Sequence, residues 1–119
     1  MSSSTKNIGN FGEKIAKNFL LSRGYEIREQ NLRLGHKEID LIAQDQNWVI
    51  FIEVKTNACY WQDPEFALSS KQIRTLKKAI SSYCFHNRIN KNHIRLDLIT
   101  ITLNKSKKRA RLKHYKDII

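Results

Sequence analysis

Two short apolar segments on either side of a polar turn most constrain what this chain can fold into. Residues 38–43 and 48–55 are rich in Ile, Val, Leu and Phe, and the polar residues 44–47 lie between them. This pattern predicts two antiparallel strands joined by a hairpin turn. Both segments carry apolar residues at odd and at even positions, which is typical of central strands that are covered on both faces.

The register of this hairpin places charged side chains together. A turn centred on residues 46–47 puts Asp40 opposite Glu53 and Glu38 opposite Lys55, with opposed Cβ atoms roughly 5 Å apart. Side chains alternate between faces with a period of two, so all four share one face. Two carboxylates that lie so close repel each other unless a cation joins them.

Regular alternation also divides the apolar residues of the hairpin. Ile42, Val49 and Phe51 share the face of the acids, and the other face carries Ile39, Leu41, Ile50, Ile52 and Val54. The simplest alternative is a surface hairpin whose charges face water. Charged side chains in covered strands, however, require pairing or metal coordination.

Asp40 and Glu53 are therefore candidate ligands of Mg²⁺, with Mn²⁺ as a substitute, and the main-chain carbonyl of Val54 is a further candidate ligand. Mg²⁺ is usually held by one or two carboxylates together with substrate phosphate. Such a cation activates water and acts as a Lewis acid in phosphodiester cleavage. Lys55 is placed to stabilise developing charge, to orient water or to act as a base, and the sequence leaves these roles open.

The charge balance indicates a polyanionic partner. The 119 residues include 22 Lys and Arg against 11 Asp and Glu, a net charge of +11. Nucleic acid is the first candidate for that partner. An anionic membrane surface is the rival, but no stretch approaches the roughly 18 apolar residues of a membrane span and no basic amphipathic helix stands out.

Length and cysteine content suggest a small intracellular protein. We expect one domain over residues 1–119, with residues 1–7 flexible. The N-terminus lacks a secretion signal, which favours the cytoplasm. Cys59 and Cys84 lack metal-ligand spacing and are expected to be free thiols.

Several basic residues are candidates for nucleic-acid contacts, although solvated charge is the alternative for each. The first set comprises Arg33, Lys71, Arg74, Lys77 and Lys78, and a second patch comprises Lys105, Lys107, Lys108, Arg109 and Arg111. Trp61 and Phe66 are placed to stack on unpaired bases or to cap the core.

The remaining elements complete a small α/β domain. Helical spacing predicts a first helix over 8–23, whose buried stripe comprises Ile8, Phe11, Ile15 and Phe19, widened by Ala16 and Leu20. A strand over 25–30 and a polar connection through Asn31, Arg33 and Gly35 follow.

The second helix begins near Ser69, because Ser69 and Gln72 form a predicted capping box. The second helix then runs to a point before Asn90, with Ile73, Leu76, Ile80, Tyr83 and Cys84 as its stripe. Alternation predicts strands over 94–102 and 109–115. The resulting α-β-β-β-α-β order, followed by one further strand, predicts a mixed central sheet flanked by helices.

Asp40 and Glu53-Val54-Lys55 in this order of elements resemble the PD-(D/E)XK nuclease superfamily, which includes restriction endonucleases and archaeal Holliday junction resolvases. Over nearly the whole chain the sequence is more similar to the YraN family of predicted endonucleases. The segments that carry this resemblance are Gly9-Asn10-Phe11-Gly12-Glu13, Ala16, Gly24-Tyr25, Asn31-Leu32-Arg33, Glu38-Ile39-Asp40-Leu41-Ile42, Phe51-Ile52-Glu53-Val54-Lys55-Thr56, Lys71 and Arg95-Leu96-Asp97. The chain departs from the YraN pattern at Lys37, where Gly is usual, and at Asn57, where a basic residue is common.

The resemblance implies a restriction endonuclease-like core and metal-dependent endonuclease activity on DNA, including branched, Holliday junction-like substrates. Junction-cutting relatives also imply a homodimer. It further implies that Glu13 assists the metal site. The alternative for Glu13 is an acid near a helix N-terminus, favoured by the helix dipole. Glu38 is expected to support the ligands without binding metal itself, or to form a cross-strand ion pair with Lys55.

Two other functional classes stay open. One is a basic nucleic-acid-binding module that keeps this fold without physiologically relevant turnover. The other is an RNA-processing nuclease on the same scaffold.

Overall fold

A computed structural model of the protein describes residues 3–57, 67–104 and 106–119. The predictions for Cys59, Trp61, Phe66 and Lys105 fall outside these residues. So does the start of the segment predicted to be flexible, residues 1–2.

Two helices flank one five-stranded sheet. The elements in chain order are α1 (Ser3–Ser22), β1 (Glu26–Leu34), β2 (Lys37–Asp45), β3 (Trp48–Asn57), α2 (Ser70–Asn87), a 3-10 turn (Lys91–His93), β4 (Ile94–Asn104) and β5 (Arg109–Tyr115). The strands lie side by side in sequence order; β3 and β4 are parallel and the other neighbours antiparallel. This arrangement confirms the predicted α/β class with its α-β-β-β-α-β core and mixed sheet.

The predicted hairpin register is confirmed near the turn, but the predicted pairs Asp40–Glu53 and Glu38–Lys55 lie beyond the last observed pair. Pairing of β2 with β3 runs from Asp45 opposite Trp48 to Leu41 opposite Ile52. The turn consists of residues 46–47 alone, with Gln46 at a positive φ of 56°, so residues 44–45 extend β2 where a longer turn was expected.

Each face of the sheet has its own apolar core. One core lies under α2 and contains Phe51 and Leu96; the other lies under α1 and contains Ile50 and Ile99. Residues adjacent in sequence, such as Ile50 and Phe51, point into opposite cores. The central strands are therefore covered on both faces, as their apolar composition predicted.

The predicted stripe of helix α1 is confirmed at Ile15, Ala16, Phe19 and Leu20, which contact the core, and is wrong at Phe11. Gly12, Ala16 and Leu20 are buried, whereas the side chain of Phe11 is 52% exposed. The small residues face the sheet and let the helix backbone approach it closely, which a pattern based on large apolar residues does not anticipate. The helix also begins at Ser3, earlier than the predicted residue 8.

Helix α2 follows its prediction closely. The hydroxyl of Ser69 accepts the backbone N–H of Gln72, and the Gln72 side chain accepts the backbone N–H of Ser69. This reciprocal capping box fixes the start of the helix. Buried residues then recur at the predicted helical spacing: Leu76, Ala79, Ile80, Tyr83 and Cys84.

Strand β1 extends further than the sequence indicates. Asn31 and Arg33 belong to β1, although a polar connection was predicted there. The turn to β2 is only residues 35–36, and Gly35 adopts a positive φ of 61°. The longer β1 brings Asn31 beside the acidic residues of β2.

Candidate functional site

Asp40 lies where β2 and β3 separate. The last backbone pair of the ladder joins Leu41 to Ile52, and beyond it the Asp40 carboxylate accepts the backbone N–H of Val54 at 2.8 Å. A side chain thus takes the place of a backbone acceptor at this point. The partly buried carboxylate is held in the gap between the strands.

Alternation along β2 is interrupted at this gap. Ile39 and Ile42 both lie in the core under α2, whereas Leu41 lies in the core under α1. Asp40 also lies on the α1 side, beside Glu13. The prediction that Asp40 shares a face with Ile42, and Ile39 a face with Leu41, was therefore wrong. A local irregularity of the strand re-aims the side chain, as β-bulges do.

Three carboxylates converge on the α1 side of the gap. Single oxygens of Glu13, Glu38 and Asp40 all lie within 4.8 Å of one another. With its amide nitrogen turned toward the acids, the Asn31 side chain donates to Glu13 Oε2 at 2.9 Å and to Glu38 Oε1 at 3.1 Å. Asn31 adopts a left-handed backbone conformation with φ 50°, which Asn tolerates better than most residues. The strained backbone directs its amide at two acids.

The position of Glu13 decides between its two interpretations. Helix α1 begins at Ser3, so Glu13 lies in the middle of the helix and its first turn contains no acidic residue. Stabilisation by the helix dipole acts only within the first turn. The carboxylate therefore owes its place to the cluster with Glu38 and Asp40.

Glu53, on the neighbouring strand, is not one of the three converging carboxylates but contacts Asp40. Its side chain is 4% exposed, and the ammonium of Lys37 lies 3.1 Å from Oε2. The two groups form an ion pair, although Oε2 has no hydrogen-bond partner among the described residues. Glu53 is also hydrogen-bonded to Asp40. The single positive charge of Lys37 does not balance two ionised carboxylates in contact, so their joint ionisation favours a further cation.

The electrostatics of the group favour protons or a cation. Burial raises the pKa of the Asp40 carboxyl to about 9. The hydrogen bond with Glu53 and the negative charge of Glu53 also raise this pKa, whereas the hydrogen bond from the Val54 N–H lowers it. Burial also raises the pKa of Glu13; the Asn31 hydrogen bond opposes this, and the charges of Glu38 and Glu53 add to it. Without a metal, the Asp40 carboxyl therefore holds its proton more tightly than a solvent-exposed aspartic acid does.

Lys55 lies on the regular part of β3. It is two residues beyond Glu53, and both belong to an uninterrupted parallel pairing with β4, so their side chains point to the same face as Phe51, the α2 side of the sheet. Because Asp40 lies on the α1 side, the prediction that it shares a face with Glu53 and Lys55 was wrong. None of the ion pairs between described residues joins Lys55 to Glu38. The cation beside the acids is Lys37 instead.

Helix α1 crosses β3 directly next to Lys55. A Cβ on Gly12 would lie 2.9 Å from the Cβ of Thr56 and overlap its hydroxyl oxygen. Only a glycine permits this approach. The contact explains how Glu13, the next residue of the helix, reaches the acids of the sheet.

The basic candidates outside this group are exposed. Arg33 lies on β1 and the other four on the outer side of α2: Lys71, Arg74, Lys77 and Lys78. Lys78 also lines a cavity of about 320 Å³ with Lys37 and His36. In the second patch, Lys107, Lys108, Arg109 and Arg111 are exposed around the β4–β5 turn.

The donor set fits a hard divalent cation. Carboxylate oxygens of Glu13, Glu38 and Asp40 converge, Glu53 lies in contact with Asp40, and one buried oxygen of Glu53 lacks a hydrogen-bond donor. Oxygen ligands of this kind suit Mg²⁺ and Mn²⁺. The same residues do not suit zinc, which prefers His and Cys ligands.

Sequence reasoning overlooked two residues of the group. Asn31 was treated as part of a polar connection, and Lys37 was noticed only as a departure from a family pattern. Regular alternation puts Lys37 and Asp40 on opposite faces of the strand, so the spacing gave no signal for Lys37. For Asn31, the signal was its tolerance of left-handed backbone.

Neither α1 nor α2, the two helices of the described residues, combines the length and apolar composition needed to cross a membrane.

Comparison with known proteins assigns the chain to a family. The model of the uncharacterised protein family UPF0102 matches residues 12–101, a span that contains Glu13, Asp40, Glu53 and Lys55. A UPF0102 protein of Clostridium botulinum (strain Loch Maree / Type A3) is 40% identical over 101 residues, which cover 83% of this chain and 82% of the relative. A UPF0102 protein of Clostridium novyi (strain NT) is 36% identical over 101 residues, 84% of each chain. The protein therefore belongs to the uncharacterised protein family UPF0102, also called the YraN family.

Proposed function

We propose that this protein is a metal-dependent endonuclease that hydrolyses phosphodiester bonds in DNA, with branched DNA as its preferred substrate. One observation carries the proposal: the contact between Asp40 and Glu53 in the gap between β2 and β3, beside an oxygen of Glu53 that lacks a donor. Two carboxylates in contact require a shared proton or a cation. The resemblance to PD-(D/E)XK nucleases supports a cation in this position and phosphodiester cleavage as the reaction.

Asp40 and Glu53 would hold Mg²⁺ or Mn²⁺, with Glu13 as a third acid and the main-chain carbonyl of Val54 as a further ligand. When bound, the cation would neutralise charge on the scissile phosphate and lower the pKa of a water molecule. Glu38, joined to Glu13 through Asn31, would orient that acid.

The amine of Lys55 would stabilise charge that develops on the phosphate oxygens in the transition state. Its place two residues after Glu53, on the same face of β3, supports this role. Preorganised donors at such a position contribute on the order of 10²–10³ in rate.

The exposed basic residues would bind the phosphate backbone. Arg33 and the α2 residues Lys71, Arg74, Lys77 and Lys78 account for five of the 22 Lys and Arg of the chain. A net charge of +11 predicts binding that weakens steeply as salt rises. Cutting two strands of a branched DNA requires two active sites, so a homodimer belongs to the proposal.

The test is cleavage of plasmid DNA, a four-way junction and an RNA of similar length in Mg²⁺ or Mn²⁺. We expect cleavage of the junction, its loss in EDTA, and rates at least about 100-fold lower for Asp40→Asn, Glu53→Gln and Lys55→Met. Glu26→Gln serves as the matched control, since Glu26 is an exposed acid at the start of β1.

Three results would contradict the proposal. Cleavage that survives Asp40→Asn and Lys55→Met places the activity elsewhere. Binding of DNA without any metal-dependent cleavage identifies a non-catalytic module. Cleavage confined to RNA identifies an RNA-processing enzyme.

A further inference from the structure

The ring of Phe11 is exposed beside a cleft at the β4–β5 turn. Phe11 is one of five large hydrophobic residues with exposed side chains among the described residues, at 52%. The cleft measures about 360 Å³ and lies between this ring and the end of the sheet. A single exposed apolar residue is ordinary, but the ring of Phe11 continues into the apolar surface of Leu103 and Ala110, and contiguous apolar surface marks binding sites.

The cleft combines an apolar floor with a basic rim. Leu103 and Ala110 contribute apolar surface, Lys108 and Arg109 contribute positive charge, and none of the described residues that line it is acidic. An aromatic ring next to cations suits a nucleotide, because a base stacks on the ring while its phosphate meets the cations.

The cleft lies on the other flank of α1 from the acids. Glu13 faces Asn31 and Glu38 on one flank, whereas Phe11 faces the β4–β5 turn on the other. Leu103 is five residues beyond Leu98, the β4 partner of Glu53, which is about 16 Å along the strand. That distance corresponds to about five base-pair steps of a duplex and to fewer nucleotides of an extended single strand.

We infer that this cleft binds an unpaired base on the strand that leads away from the cleavage point, with Phe11 as the stacking surface and Lys108 and Arg109 on the flanking phosphates. A paired base cannot enter, because its faces are already covered by its neighbours in the stack. The inference rests on the proposed function and narrows its substrate to nucleic acids with single-stranded segments, such as branch points and tailed duplexes.

The test is fluorescence anisotropy in EDTA with three labelled DNAs: a single strand, a blunt duplex, and the duplex with a single-stranded tail. Phe11→Ala should weaken binding of the single strand and of the tailed duplex about tenfold and leave the blunt duplex within twofold. Phe11→Tyr, which keeps an aromatic face, should bind all three like the wild type.

Phe85→Ala is the matched control, since Phe85 is 80% exposed on α2 and should change none of the three affinities. The Lys108→Gln/Arg109→Gln double variant should weaken all three complexes and lower the slope of log K against log salt by about two. Thermal melting of each variant confirms that the fold is retained.

The outcomes separate this inference from the proposed function. If Phe11→Ala binds the single strand as tightly as Phe85→Ala while the wild type still cleaves DNA, the inference is wrong and the nuclease assignment stands. If the wild type binds no DNA, both are wrong. If the wild type forms a dimer that Phe11→Ala dissociates, the cleft is a contact between copies of the chain, which also overturns the inference.

Discussion

The backbone N–H of Val54 donates to the carboxylate of Asp40 at 2.8 Å. The same carboxyl group contacts Glu53, the residue that precedes Val54. One side chain therefore closes the end of the β2–β3 ladder and also sets the charge of the acidic group. Stability and proton binding are coupled at Asp40 for this reason.

The first prediction concerns pH in the absence of divalent cations. Burial and Glu53 raise the pKa of Asp40 from 3.8 to about 9, so the folded protein binds this proton more tightly than the unfolded chain. The Asp40 contribution to the free energy of unfolding should thus fall as pH rises from about 4 to about 9. Urea denaturation in EDTA should show a decline in the free energy of unfolding over this pH range, and Asp40→Asn should remove it.

Mg²⁺ should reverse this decline most strongly at the alkaline end, where Asp40 is ionised and free to bind it. Glu26→Gln should show the same dependence of the free energy of unfolding on pH as the wild type, because Glu26 is exposed. If the free energy of unfolding depends on pH in the same way in the wild type and in Asp40→Asn, the pKa of Asp40 does not differ between the folded and unfolded states.

The second prediction concerns Lys37, whose ammonium is the cation nearest to the buried oxygen of Glu53. Lys37→Met removes this charge and should lower the free energy of unfolding in EDTA by about 1–3 kcal/mol, a range reduced because Lys37 is partly exposed. Mg²⁺ should restore most of the loss, since it supplies the missing positive charge. Lys77→Met, an exposed lysine of α2, should change neither value.

A stability of Lys37→Met equal to that of the wild type in EDTA would mean that Glu53 does not depend on Lys37. Equal destabilisation with and without Mg²⁺ would mean that the variant damages packing and not charge.

The third prediction concerns the crossing of α1 over β3. Gly12→Ala places a Cβ 2.9 Å from the Cβ of Thr56, and overpacking of this kind costs about 1–3 kcal/mol. The displaced helix should also move Glu13 relative to Asp40. The cleavage rate should therefore fall even at temperatures where the variant stays folded. Thermal melting and the cleavage assay measure the two effects.

Gly9→Ala is the control for this variant, because no atom lies within 4 Å of a Cβ at Gly9. In the middle of a helix this change should stabilise the protein by about 0.5–1 kcal/mol. Combining Gly12→Ala with Thr56→Gly should cost less than the sum of the single changes, and strict additivity would contradict the proposed clash.

Local sequence signals predicted much of this fold. The two-residue turn fixed the hairpin register as far as Leu41 and Ile52, and alternation in β4 separated Leu98 from Ile99 into opposite cores. These features depend on neighbouring residues and on the period of two in a strand. They follow from sequence because tertiary packing only reinforces them.

The details of the candidate site depend on tertiary contacts. Asp40 changes face where β2 and β3 separate, and its carboxylate there accepts a hydrogen bond from the backbone N–H of Val54 on the partner strand. Phe11 is exposed because Gly12 and Ala16 face the sheet, and hydrophobic periodicity assigns no weight to glycine. Neither outcome can be read from spacing within a single element.

The last prediction concerns Asp97, a fully buried acid that joins four parts of the fold. Its carboxylate accepts from Arg95 at 2.8 and 2.9 Å, from His114 at 2.7 Å and from the backbone N–H of Asp117 at 2.9 Å. Arg95 in turn donates to the hydroxyl of Tyr25 at 3.0 Å. Strands β4 and β5, the C-terminal segment and the start of β1 thus meet at one side chain.

Burial alone would raise the pKa of Asp97, but the hydrogen bonds from His114, Arg95 and Asp117 outweigh it and hold the pKa below its usual value. A lowered pKa stabilises the fold above the unfolded value of about 4 and loses this contribution as pH falls further. Asp97→Asn should remove it at every pH and cost about 3–5 kcal/mol, because Arg95 is left as an uncompensated charge.

Asp117→Asn is the matched control, since it keeps the backbone N–H that Asp97 accepts and should leave stability within about 0.5 kcal/mol. Unlike the loss in Lys37→Met, the loss in Asp97→Asn should not respond to Mg²⁺, because every partner of Asp97 is a donor of the protein itself. Urea denaturation of both variants, each with EDTA and with Mg²⁺, makes the comparison. Rescue of Asp97→Asn by Mg²⁺ would show that Asp97 belongs to the metal site after all, whereas equal losses in both buffers would identify it as a structural acid that supports the sheet on which the site is built.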